Sequence, residues 1–220
     1  MFLRTTAAAL VIACGLSACA PEPPLDRASL ALLHQKAAAA QNAGDYETAE
    51  RLHREVVARM DPQAPGEERA LQLVNLSSVL NLRDQPDAAE NVLREADALL
   101  AGVPDVSPQL RAALHLNRGK SRALTRQWTE AEQEYRAGIA LLSAMRPRND
   151  LLSFTADANL AFVYWRTGRP MEAQQLYEAS LEYFLRAAAS DHPVVRQFET
   201  EYQQLLREMS PPAAAPPARP

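Results

Sequence analysis

Cysteine is nearly absent from this 220-residue chain, which has Cys14 and Cys19 and no other. Because both lie close to the N-terminus, the rest of the chain has no disulfide, no thiolate metal ligand and no catalytic thiol. Lysine is equally scarce, with Lys36 and Lys120 against 21 arginines. The formal net charge of −4 disfavours nucleic acid as a partner.

Catalytic motifs are missing as well. The four histidines, His34, His53, His115 and His192, occur singly, and none belongs to a His-Glu-x-x-His zinc pair. No Gly-rich phosphate loop is present, and no serine lies in a nucleophile elbow. We therefore predict a non-enzymatic protein without catalytic residues, metal or cofactor. An undetected hydrolase is the least favoured alternative.

The strongest positive pattern is a four-fold internal repeat. In its clearest copy, an apolar helix ends at Gly168, where glycine tolerates positive φ, and Pro170 begins a second helix. Equivalent alanines follow at intervals of 40, 42 and 42 residues, as Ala49, Ala89, Ala131 and Ala173. Self-similarity at such a period indicates stacked helical hairpins, which bury their apolar faces against one another.

Proline and glycine divide the chain into nine predicted helices, and no alternating strand pattern competes. Their approximate ranges are 27–43, 46–60, 66–83, 86–101, 108–125, 128–145, 150–167, 170–188 and 193–208. The repeat alanines should pack against small residues of the preceding helix, namely Ala37, Ser77, Gly119 and Ala161. In the last helix, a polar outer face should cover the end of the stack, through Gln197, Glu199, Glu201, Gln203 and Gln204. We predict an all-α fold.

The fourth copy resembles a tetratricopeptide repeat. The resemblance is carried by Leu160-Ala161-x-x-Tyr164-x-x-x-Gly168-x-x-x-x-Ala173-x-x-x-Tyr177. The longer period, and Asp191-His192-Pro193-Val194 after the last hairpin, are similar to the kinesin-light-chain type. The resemblance implies a right-handed αα-superhelix of about four hairpins plus a C-terminal capping helix. It places the repeat domain at residues 27–209, with repeats at about 30–63, 70–103, 112–145 and 154–187 and the capping helix at 193–208.

The N-terminus has the pattern of a secretory signal peptide. Arg4 precedes an apolar run that is too short for a transmembrane helix of about 20 residues. The Leu16-Ser17-Ala18-Cys19 that follows resembles the lipobox of bacterial lipoproteins. That resemblance implies a signal peptide at 1–18 and acylation of Cys19 with diacylglycerol and an amide-linked chain such as palmitate. The alternative is an ordinary signal peptide that happens to contain a cysteine.

Several acyl chains would hold the protein on a membrane. Ala20 rather than Asp follows the acylated cysteine, so the resemblance favours the outer membrane, with the protein facing the periplasm. Residues 19–26 are expected to form a Pro-rich tether. Residues 210–220 are expected to form a disordered Pro/Ala-rich tail.

Polar residues recur on the first helix of each predicted hairpin. Two positions before the small residue stand Gln35, Asn75, Asn117 and Asn159. Asparagine is a mediocre helix former, yet its side chain both donates and accepts, so such a row can hydrogen-bond the main chain of an extended peptide. The kinesin-light-chain groove has a similar asparagine ladder, which supports this role. The alternative is that the amides bridge or cap neighbouring helices within the stack.

Other predicted groove residues lie further along the same helices: Ser78, Lys120, Phe162, Trp165 and Arg166. An aromatic residue beside a cation favours an acidic or aromatic peptide segment as the ligand. The alternative role of Trp165 is packing between repeats. The stripe Arg118, Lys120, Arg122 and Arg126 is either a basic binding surface or a solvated helix face.

These features predict a lipid-anchored envelope scaffold or adaptor that binds a protein or peptide partner in its concave face. Assembly of an envelope complex is one candidate task. The rival interpretation is a structural module that self-associates into homo-oligomers and has no peptide-binding groove.

Overall fold

The computed structural model describes residues 23–145, 150–186 and 192–210, with the backbone alone at residue 150. Within these ranges it contains nine α-helices and no strand. They are α1 (Arg27–Asn42), α2 (Tyr46–Arg59), α3 (Gly66–Leu82), α4 (Pro86–Leu100), α5 (Pro108–Leu124), α6 (Trp128–Ala144), α7 (Asp150–Arg166), α8 (Pro170–Arg186) and α9 (Pro193–Met209). The all-α prediction is confirmed, and every helix ends within two residues of its predicted bounds.

The turn inside each hairpin contains one residue in the left-handed region. Gly44 and Gly168 have φ of 80° in the first and fourth hairpins. Asp84 and Arg126 occupy the same position in the second and third, with φ of 57° and 59°. This common geometry shows that all four hairpins share one register.

Replacing Arg126 with Gly is expected to raise the free energy of unfolding by about 1 kcal/mol, because a residue with a β-carbon is strained at positive φ. Arg126 is exposed, so few contacts are lost with its side chain. Urea denaturation would measure the change. Arg126→Ala keeps the β-carbon and should give no gain; equal stabilisation by both variants would show that the backbone is not the cause.

The two helices of each hairpin approach closely at small side chains. Ala49, Ala89, Ala131 and Ala173 are fully buried, as are Ala37, Ser77 and Ala161 opposite them. In the third hairpin, a β-carbon placed at Gly119 would lie 2.9 Å from the ring of Tyr135. The predicted close-packing role of these positions is therefore visible in each hairpin.

Successive hairpins stack in chain order. The second helix of each hairpin packs on the first helix of the next. In addition, α3 contacts α5 and α5 contacts α7, and we call these three first helices the inner wall. Polar contacts cross between hairpins. The buried carboxylate of Glu50 pairs with Arg83, at the end of α3. Arg169 donates to Glu132 at 3.0 Å, which joins the third and fourth hairpins.

The closing helix α9 packs on α8 and reaches α7. Its own residues Val195, Phe198 and Leu205 are buried. The expected polar outer face is wrong for Glu201, which is half-buried and accepts a hydrogen bond of 2.9 Å from the hydroxyl of Tyr177. The reason is helical periodicity, because Glu201 lies one turn from Phe198 and therefore on the buried side. Gln203 and Gln204 are exposed as expected, and Glu199 is partly so, whereas Gln197 is exposed but lines the cavity described below.

The start of α9 touches the turn of the first hairpin. His192 Nε2 lies 3.3 Å from Oδ1 of Asn42, and a β-carbon placed at Gly44 would lie 3.4 Å from Cγ of Pro193. His192 Nδ1 accepts from the backbone N–H of Val194, so the neutral ring carries its proton on Nε2 and donates it to Asn42. We call the hydrogen bond between His192 and Asn42, together with the approach of Pro193 to Gly44, the closure contact. It brings the first and last parts of the stack together.

The predicted signal peptide, Cys19 and almost all of the C-terminal tail lie outside the described residues, and the domain boundaries stay predictions. Residues 23–26 of the predicted tether run beside the end of α2, where Leu25 N–H donates to the carbonyl of Arg59 at 2.9 Å. No helix in the described ranges has the length and hydropathy needed to cross a bilayer.

Candidate functional site

The inner wall and α9 border a half-open cavity of about 580 Å³. Its polar lining includes Ser78, Asn81, Asn117, Lys120, Thr155 and Asn159. Its apolar lining includes Leu116, Leu152, Phe184, Val194, Val195 and Phe198. Four of the nine residues predicted to form a groove are thus brought together: Ser78, Asn117, Lys120 and Asn159.

Asn117 and Asn159 occupy equivalent positions on α5 and α7, and both are half-buried. Each Nδ2 donates to a carbonyl one turn earlier in its own helix, that of Ala113 or Thr155, at 3.0 Å. Within the described part of the chain, neither Oδ1 accepts a hydrogen bond. The two amides therefore offer the cavity an acceptor rather than a donor.

Asn81 is a buried residue of this wall that the sequence reasoning missed. Its Nδ2 donates to the carbonyl of Asn117 at 2.9 Å, and its Oδ1 accepts from the hydroxyl of Ser121 at 2.9 Å. It thereby fixes α3 to α5 beside Asn117. The repeat gives no signal for it, because the equivalent positions carry glutamine, alanine and tryptophan.

Lys120 extends from α5 to the cavity and is half-buried. Burial lowers the pKa of its ammonium group, and the negative charges of Glu201 and Asp84 offset part of that effect. No carboxylate in the described ranges lies within ion-pairing distance of it. The cavity therefore has a cationic group that no ion pair neutralises.

Arg118 and Arg122 do not extend the charge of Lys120 along the inner wall. Arg118 donates to Asp97 of α4 at 2.5 Å, and Arg122 lies 3.5 Å from Glu90 of the same helix. Acidic residues of the preceding hairpin thus neutralise these two arginines. Arg126 lies in the turn, so the structure does not form one basic stripe from the four residues.

Phe162, Trp165 and Arg166 form an aromatic cluster with Trp128, and none of the four is among the described residues that line the cavity. The ring of Phe162 contacts those of Trp128 and Trp165 edge to face, at centroid distances of 6.1 Å and 5.9 Å. The guanidinium of Arg166 lies 6.0 Å from the Trp128 ring and 5.9 Å from the Trp165 ring. Trp165 Nε1 donates to Glu208 of α9 at 2.7 Å, so Trp165 has a packing contact with the closing helix.

The last two predicted groove residues lie elsewhere. Gln35 is exposed on α1 and Asn75 is half-buried on α3, and neither is among the described residues that line the cavity. Their binding role, like that of the other seven residues, stays a prediction. Within the described ranges, no group of three or more His, Cys, Asp or Glu side chains is placed to hold a metal ion.

Comparison with known proteins supports the repeat and the fold. Residues 29–60 and 158–194 match the family model of the tetratricopeptide repeat. No curated protein matches the sequence. Similar solved structures include TPR-like repeats, nearly identical to one another, from a kinesin light chain candidate of Podosopora anserina. A single-substitution variant of those repeats has 20% identity and a TM-score of 0.55, over 81% of this chain and 85% of that one.

A second structure of the same repeats has 20% identity and a TM-score of 0.53, over 81% of this chain and 86% of that one. At this identity the likeness concerns the fold. The predicted tetratricopeptide-like superhelix, similar to the kinesin-light-chain type, is therefore confirmed as a fold, with two segments that match the repeat itself.

Proposed function

We propose that the protein is a lipid-anchored adaptor of the bacterial cell envelope, which holds an extended segment of a protein partner in its inner cavity. Tetratricopeptide folds generally act as scaffolds for protein interaction rather than as catalysts. The observation that carries the proposal is the pair Asn117 and Asn159, whose free Oδ1 atoms share one concave surface. Main-chain N–H groups of an extended peptide are suitable donors for such acceptors.

The aromatic cluster supports a second contact region for the same partner. The ring of Phe162 contacts those of Trp128 and Trp165, and Arg166 is exposed at the edge of these rings. Tryptophan and arginine are frequent among the side chains that contribute most to protein interfaces. A partner segment with an acidic or aromatic residue would fit this region.

The envelope location rests on the N-terminal sequence. The Leu16-Ser17-Ala18-Cys19 lipobox supports acylation of Cys19, and the absence of Asp at position 20 supports the outer membrane. Mass spectrometry of the N-terminal peptide would test acylation directly. Recovery of Cys19→Ser protein in the membrane fraction at the wild-type level would contradict the proposed anchor.

Site-specific photocrosslinking in the native envelope would test partner capture. A photoreactive amino acid replaces Gln109, which is exposed at the rim of the cavity, or Gln133, which is exposed on α6 outside it. We expect an adduct with another protein from position 109 and none from position 133. Adducts that contain only a second copy of this chain would instead favour the self-associating module, and no adduct from position 109 would contradict peptide capture.

The Asn117→Ala/Asn159→Ala double variant is expected to weaken capture by several-fold to about a hundredfold, because each hydrogen bond to a main chain contributes about 0.5–1.5 kcal/mol net. Helical content and the melting temperature should change little. The photoadduct yield from position 109 measures the effect. Gln133→Ala/Gln175→Ala is the matched control, since it removes two exposed amides from the second helices of the same hairpins. An equal yield from both double variants would contradict the role of the asparagines.

A further inference from the structure

We propose that the inner cavity also binds a small anionic amphiphile, whose apolar body fills the cavity and whose anionic group pairs with Lys120. This inference goes beyond the proposed capture of a peptide and does not depend on it. It rests on three features of the described residues: the volume of the half-open cavity, its apolar lining and the unpaired ammonium of Lys120.

The volume suits a small molecule. Binding sites for small ligands in proteins have volumes of about 300–1,000 Å³, and this cavity has about 580 Å³. The closure contact between His192 and Asn42 joins the first hairpin to α9 at the edge of the cavity. The cavity is half-open, so a compact ligand can enter and occupy it while that contact is intact.

The lining suits an apolar body. Leu116, Leu152, Phe184, Val195 and Phe198 come from four different helices and converge on the cavity. Phe184 and Phe198 contact each other with ring centroids 6.2 Å apart, which fixes this part of the wall. Mostly apolar walls with a few placed polar groups are typical of sites that bind small organic molecules.

The ammonium group of Lys120 favours a ligand that carries a negative charge. Glu201 is the carboxylate whose charge most favours the protonated form of Lys120. Its carboxylate already accepts a hydrogen bond from the hydroxyl of Tyr177, and it is not within ion-pairing distance of the ammonium. A partly buried charge without a paired counterion is unfavourable, so an anion that reaches Lys120 gains an interaction that the protein alone does not provide. Asn117 and Asn159 present acceptors, which would not attract an anion. The anionic group is therefore directed to Lys120.

The two lysines of the chain make a direct test possible, because Lys36 is exposed and Lys120 lines the cavity. The full-length protein would be reductively methylated with ¹³C-formaldehyde and placed in phosphatidylcholine nanodiscs, which contain no lipid amine. The probes are dodecanoate and dodecyltrimethylammonium, which have the same chain and opposite charge. We expect dodecanoate to shift the dimethyl-Lys120 resonance and raise its titration midpoint, while the dimethyl-Lys36 resonance is unchanged and the cationic probe has no effect.

Matched variants complete the test. Lys120→Met should weaken dodecanoate binding at least tenfold, as expected for loss of a charged hydrogen-bond donor, and Lys36→Met should leave it unchanged. Equal shifts of both lysines, equal effects of both probes, or unaltered affinity in Lys120→Met would overturn the proposal. The assay contains no protein partner, and the photocrosslinking assay contains no added amphiphile. Failure of the amphiphile site and failure of peptide capture are therefore distinguishable.

Discussion

Replacing Tyr135 with Ala is expected to lower the free energy of unfolding by about 3–5 kcal/mol, the range for truncating a large aromatic side chain in a core. Tyr135 is 1% exposed and belongs to the largest apolar cluster, which joins the third and fourth hairpins to α9. Denaturation by urea, followed by circular dichroism, would measure the loss. Tyr135→Phe keeps the ring and should cost far less; a similar loss in both variants would show that the hydroxyl, not packing, is the cause.

A double-mutant cycle would locate the contact behind this effect. Gly119→Ala alone should destabilise the protein by roughly 1–3 kcal/mol, because the new β-carbon would lie 2.9 Å from a ring that is held on all sides. When Tyr135→Ala removes the ring, the same methyl group enters free space. The second substitution should therefore cost little in that background or partly restore stability. Simple additivity of the two losses would contradict direct packing of Gly119 against Tyr135.

Acidification from pH 6.5 to pH 4 is expected to destabilise the protein through His53. The side chain is 2% exposed, and its ring contacts that of His34 at a centroid distance of 5.7 Å. Neither of its ring nitrogens has a hydrogen-bond partner in the part of the chain that the structure describes. Burial, with a smaller effect from His34, lowers the pKa of His53 from 6.5 to about 4.

The sign of the effect follows from proton binding. Between pH 6.5 and pH 4 the unfolded chain binds a proton at His53 and the folded protein does not, so stability is present above pH 6.5 and lost as the pH falls. The maximal slope is about 1.4 kcal/mol per pH unit. Chemical denaturation at several pH values would measure it. In His53→Leu the slope should decrease, with a remainder from His192, whose pKa burial also lowers.

His115→Gln is the control for this prediction, because it removes one histidine from a different hairpin and keeps a side chain able to donate to Glu134. Its pH profile should retain the steep fall below pH 6.5. If His53→Leu retains the same fall, the buried histidine is not its cause. Wild-type stability that is constant between pH 6.5 and pH 4.5 would contradict the prediction altogether.

The helices and the repeat could be predicted from sequence because local rules determine them. Proline and glycine interrupt the chain between helices, and Ala49, Ala89, Ala131 and Ala173 recur at a fixed interval, so boundaries and register follow from short stretches. The second and third hairpins obey the rule without a glycine in the turn. Asp84 and Arg126 adopt the left-handed backbone that Gly44 and Gly168 adopt elsewhere.

Contacts between distant parts of the chain could not be predicted in this way. Glu201 was expected at the outer surface, because five polar residues in one helix suggest a solvated face, but Tyr177 of the preceding helix accommodates its carboxylate. The counterparts of Asn81 in the other repeats are Gln41, Ala123 and Trp165, so no asparagine recurs there and the periodic pattern does not distinguish it. Its role depends on Ser121 and on the carbonyl of Asn117, which only the stacking of hairpins brings near.

The same limitation explains why only four of the nine predicted groove residues line the cavity. The spacing of 42 residues correctly predicted that Asn117 and Asn159 occupy equivalent places, and both line the cavity. The spacing contains no information on where the wall curves or which residues α9 approaches. Gln35 and Asn75 satisfy the repeat equally well, yet they lie outside the cavity.

The closure contact changes how the array can come apart. In a linear solenoid each unit touches only its neighbours, so the two end units have one neighbour each and fray most readily. Here His192 and Asn42, which are 150 positions apart in the chain, hold the two ends to each other. Fraying at either end must then break a contact that belongs to the other end as well. We therefore expect local opening of the first hairpin and of α9 to be coupled, as in a closed ring.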